Sequence, residues 1–134
     1  REITRENIRK NLVELANKYP NTEFDFYLPP YNIVCWYDLK RIGVLDGKIE
    51  GIKIMVEELL KCKNVKLYCF IDEWDIVTNL DNYKDTLHFS EDINSYMLYK
   101  MKNKENLLTK ENYLKKLNEI KEFYDNYNYE KIHK

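Results

Sequence analysis

The run VKLYCF, residues 65 to 70, constrains the fold more than any other stretch of the chain. It is largely apolar rather than alternating, which is the pattern of a strand covered on both faces, as in a parallel sheet flanked by helices. A helical stripe comes before it, Leu45, Ile49, Ile52, Val56, Leu59 and Leu60, with Lys63-Asn64 as the turn between. The same order occurs once earlier. Ile8, Leu12, Leu15, Ala16 and Tyr19 share one face of a helix predicted over 4–19, with Thr4 as N-cap and Pro20 as stop. FDFYL, residues 24 to 28, is then a short aromatic strand cut off by Pro29-Pro30. Helix, strand, helix, strand is the order of parallel α/β architecture, and residues 1–134 are read as a single α/β domain.

After Phe70 periodicity is lost until Ser90, so 71–89 reads as a long loop at the carboxyl end of the second strand, where open α/β sheets bind ligands. Ile93, Met97, Leu98 and Met101 give a helix capped by Ser90, with Glu91 and Asp92 in its first turn. Leu114, Leu117, Ile120 and Tyr124 give a last helix, and His133 belongs to a polar, Tyr- and Asn-rich tail. Two strands alone leave long sheet edges exposed. Either strands upstream of Arg1 or a partner chain is expected to cover them. With Arg1 in place of an initiating Met, the chain is expected to be the C-terminal fragment of a larger domain. Any targeting segment or anchor, and with it an extracytoplasmic, membrane-anchored location, falls to the missing part.

Charge excludes some partners. Lys and Arg number 22 against 23 Asp and Glu, which gives no electrostatic reason to expect nucleic acid or an anionic membrane. Cys35, Cys62 and Cys69 are odd in number and lack CxxC spacing, so they read as buried apolar filler rather than a disulfide framework or zinc site. Asp72, Glu73 and Asp75 could form a carboxylate cluster for a hard cation, but exposed acidic loop residues are the commoner case. No cofactor and no metal are expected. The abundance of Tyr, Asn, Lys and Ile fits an AT-rich bacterial genome.

The candidate chemistry lies in NYKDTLHFSED, residues 82 to 92. A histidine acting as general base must be held in one tautomer. A carboxylate on its Nδ1 does this and stabilises the imidazolium formed during reaction. Asp85 and His88, three residues apart before a helix, have that potential, with a serine nucleophile to come from elsewhere in the fold. Read without function, Asp85 is a turn residue and His88 a partly buried ring bonded to backbone. Nine Asp in 134 residues supply such a spacing by chance about one time in seven. Tyr83, Asn82 and Tyr31 are the candidates for touching substrate, with turn chemistry as the competing role of the first two. Trp36 and Tyr37, after Pro29-Pro30, read as core in preference to the lining of a pocket.

The run NLDNYKDTLHFSEDINSYML, residues 79 to 98, resembles the last sequence block of the SGNH (GDSL-type) esterase and acyltransferase superfamily, and FYLPPYNIVCWY, residues 26 to 37, resembles a strand-end segment of bacterial surface members. The resemblance spans about residues 22 to 100. It implies a flavodoxin-like parallel sheet flanked by helices, here without its N-terminal strands, His88 as general base and Asp85 as its orienting partner. It further implies transfer or hydrolysis of acyl esters, with a glycan-type cell-envelope polymer as acceptor. The family's G-D-S block and its Gly and Asn oxyanion donors are missing. The only serines are Ser90 and Ser95, neither in a Gly-flanked elbow. The chain is expected to hold a base without a nucleophile and to be inactive alone. The alternative is a non-catalytic module that binds a protein through its sheet edge or its tyrosine-rich C-terminal helix.

Overall fold

The computed structural model describes residues 1 to 133. Its frame is a two-stranded parallel sheet of β1, Phe24–Leu28, and β2, Val65–Cys69, in register from Phe24 opposite Val65 to Leu28 opposite Cys69. The alternation of side chains along a strand divides this sheet into two unlike faces. Phe24, Phe26 and Leu28 with Val65, Leu67 and Cys69 enter the main core. On the opposite face Tyr68 and Phe70 are buried while Asp25 and Tyr27 are exposed.

Helices pack on the main-core face. The chain begins with α1, Glu2–Ile8, runs through a π turn, Arg9–Val13, and finishes the rod as α2, Glu14–Lys18. The crossover from β1 to β2 carries α3, Ile33–Arg41, and α4, Leu45–Leu59. The last helix, α7, Tyr113–Asn126, joins the same layer, contributing Leu117, Ile120 and Tyr124 to the core. Helix α1 touches one side of α4, and α7 also packs on α4 while reaching the carboxyl end of β2. There the Tyr124 hydroxyl donates to the Ile71 carbonyl at 2.9 Å and Lys116 pairs with Asp72.

A buried carboxylate ties α1 to α4. Glu58 is 3% exposed at its side chain and meets Arg5, Arg9 at 3.0 Å and Lys61 at 2.7 Å. Burial pushes its carboxyl up, and hydrogen bonds from Arg9, Lys61 and Arg5 more than reverse this, leaving it lowered to about 2.

The other face of the sheet is covered only over β2. Ile93 and Met97 of α6, Glu91–Lys102, close on Tyr68 and Phe70. The chain then turns back along the outer edge of β2. The Cys69 amide donates to the Asn106 carbonyl at 2.9 Å and the Leu108 amide to the Leu67 carbonyl at 2.8 Å. Asn106 is left-handed here at φ 61°, a conformation Asn tolerates, and its amide group reaches the Cys69 carbonyl and Glu73.

Several expectations need correction. The first helix begins at Glu2, with Arg1 rather than Thr4 at the N-cap position, and Leu15 and Tyr19 are exposed. Residues 71–89 are not a featureless loop: they contain α5, Trp74–Val77, and a 3-10 turn, Leu80–Asn82. Leu98 lies on the outer side of α6, 66% exposed. Ser90 stands at the N-cap of α6 but its hydroxyl makes no cap bond. The tail after α7 forms a 3-10 helix, Tyr129–His133. Its Tyr129 is half-buried, the hydroxyl donating to the Tyr124 carbonyl at 2.6 Å, and Tyr124, within α7, stacks on Trp36 at 4.2 Å. Trp36 is core, as its sequence position suggested.

Candidate active site

The carboxyl end of β1 carries Pro29-Pro30 and then Asn32, which is 3% exposed and has both ends of its amide occupied. Its Oδ1 accepts from the Val34 and Cys35 amides at 3.1 Å each, which starts α3. Its Nδ2 donates to the Asp85 carbonyl at 3.1 Å. One buried side chain therefore begins a helix and pins the D-x-x-H segment over the end of β1.

That segment is a small hairpin. The Lys84 amide donates to the His88 carbonyl and the Ser90 amide to the Asn82 carbonyl, both at 2.8 Å, and Tyr83 forms a bridge with Phe89. The Tyr83 hydroxyl reaches back to the Pro30 carbonyl, and burial pushes this phenol up. Asn82 donates from its amide to the Ile76 carbonyl at 3.1 Å. Tyr31 is half-buried, with its carbonyl accepting from the Trp36 indole at 3.2 Å. Asn82 and Tyr83 thus spend their donors on holding the loop, and Tyr31 lies on the segment to which the loop is tied.

At the tip, Asp85 uses its two oxygens differently. Oδ1 accepts from the Leu87 amide at 2.8 Å and the His88 amide at 2.9 Å. Oδ2 lies 2.7 Å from Nδ1 of His88. The Leu87 amide, the His88 amide and then the ring hold this carboxyl down at about 2. A carboxylate so fixed favours the tautomer with its proton on Nδ1, leaving the Nε2 lone pair to accept a proton. The His88 side chain is 76% exposed and that of Asp85 55%. Ser90 is half-buried and Ser95 lies exposed on α6. Among the described residues no hydroxyl is bonded to the His88 ring, and Asp85 and His88 line none of five surface cavities of 150 to 430 Å³.

The acidic residues after β2 do not converge: Asp75 is exposed on α5, and the other two have separate partners. Asp72 faces Lys116, and Glu73 accepts from the Tyr96 hydroxyl at 3.0 Å and from Asn106. No group of three potential metal ligands occurs among the described residues, and no helix among them is long and apolar enough to cross a membrane. Burial raises the thiols of Cys62 and Cys69, the latter to about 12, and no described disulfide joins them.

No family model matches the chain, and no curated protein and no solved structure matches it either. The site is therefore described by its own geometry.

Asn32 is the residue that sequence reasoning missed. Its position before Ile33-Val34-Cys35-Trp36 is an N-cap signal that could have located α3. Its bond to Asp85, 53 residues away, left no local trace.

Proposed function

We propose that this chain supplies the Asp–His half of a Ser-His-Asp triad in an SGNH-type, flavodoxin-like enzyme that hydrolyses or transfers acyl esters, with His88 as general base and Asp85 as its orienting partner. The observation that carries this reading is the 2.7 Å contact between Asp85 Oδ2 and His88 Nδ1, on a carboxylate already fixed by two backbone amides. An Asx turn needs only Oδ1. The second oxygen, turned to the ring, is what a base-orienting carboxylate requires.

The chemistry needs a serine from outside these 134 residues. Nε2 of His88 takes the proton from that hydroxyl as its oxygen bonds to the acyl carbon, and the imidazolium then protonates the departing alcohol oxygen. Water or a second hydroxyl, such as that of an envelope glycan, gives its proton to Nε2 as its oxygen takes the acyl group, and the imidazolium then returns a proton to the departing serine oxygen. Tyr83, Asn82 and Tyr31 remain the residues proposed to lie nearest the substrate. Tyr83 and Asn82 act mainly by keeping the loop in place.

The reading as a non-catalytic binding module draws on the 76% exposure of His88 and on the free edge of β1. The two readings separate in an assay of the polypeptide that extends upstream of Arg1, using an activated acyl ester and a fluorophosphonate probe for a reactive serine. The triad reading expects turnover and labelling that His88→Ala abolishes. Turnover unchanged by His88→Ala, or an extended polypeptide that is neither labelled nor active, refutes it.

A further inference from the structure

We draw no further inference here: the strongest candidate, the apolar crevice between α1 and α4 lined by Ile8, Gly47, Gly51, Ile52 and Met55, is an unpartnered surface, and nothing in the structure shows what covers it.

Discussion

Glu58 and Asp85 are both carboxylates held at about 2, and they are held there by opposite means. Glu58 is buried, so desolvation works against its charge, and three cations, from α1, from the π turn that follows it and from just past α4, overcome it. Asp85 stands in water, where two backbone amides and an imidazole lower it with almost no burial to oppose them. The first arrangement binds two helices together. The second binds nothing to anything distant: its partners lie within three residues, and its product is an exposed ring fixed in one orientation. A carboxylate–imidazole contact as exposed as this contributes little to stability, so a pair built so fully for so little structural return marks where function is to be sought.

The sharpest way to break the contrast is to exchange each carboxylate for its amide. Asp85→Asn keeps an oxygen for the Leu87 and His88 amides but offers the ring the wrong partner. Acyl-transfer activity of the upstream-extended polypeptide should fall by about 10⁴-fold, the order seen when a triad carboxylate becomes an amide. The chemical-denaturation midpoint should stay close to that of the parent protein. Equal activity, or a large stability loss, would make Asp85 a structural residue like Glu58.

Glu58→Gln should show the reverse. Removing one partner of a buried ion pair costs about 3–5 kcal/mol, and since Arg9 and Lys61 keep access to water we expect about 2–3 kcal/mol. The pH dependence follows from the direction of the shift. A carboxyl lowered from 4.5 to about 2 on folding leaves the unfolded chain binding more protons in that window. Its stabilisation is complete above about pH 4.5 and is lost as pH falls toward 2, a slope that Glu58→Gln should flatten in acid-unfolding curves.

A smaller effect probes the link between scaffold and site. Asn32→Ala removes the α3 cap and the hold on the Asp85 carbonyl, and should cost about 1–2 kcal/mol. Asn32→Ser keeps a cap acceptor but is too short to reach the Asp85 carbonyl, so its stability loss should be smaller while the amide resonances of Leu87 and His88 still shift. Unshifted resonances in both variants would mean that Asn32 serves α3 alone.

The sequence disclosed the frame through its periodicities. The stripe from Leu45 to Leu60 and the run from Val65 predicted α4 and β2, because burial on one face of a helix or both faces of a strand is written in local spacing. Helix α3 was obscured by Pro29-Pro30, after which Asn32 restarts helical structure at once. The short α5 and the 3-10 turn are too brief to show a period. Within the site, the Asp85–His88 contact was legible because both partners lie in one turn. Glu58 gave no sign of its burial, since its partners Arg5 and Arg9 lie about fifty residues before it. Residues 106–108 likewise seal β2 through pairing that no local pattern encodes.

In the proposed triad Asp85 fixes the neutral His88 ring with its proton on Nδ1. Nitrogen-15 chemical shifts of the neutral His88 imidazole test it directly. A pyrrole-type shift is expected at Nδ1 and a pyridine-type shift at Nε2, with Asp85→Ala moving both toward the averaged values of a free imidazole. A neutral ring protonated mainly on Nε2, or shifts identical in the two proteins, would contradict it.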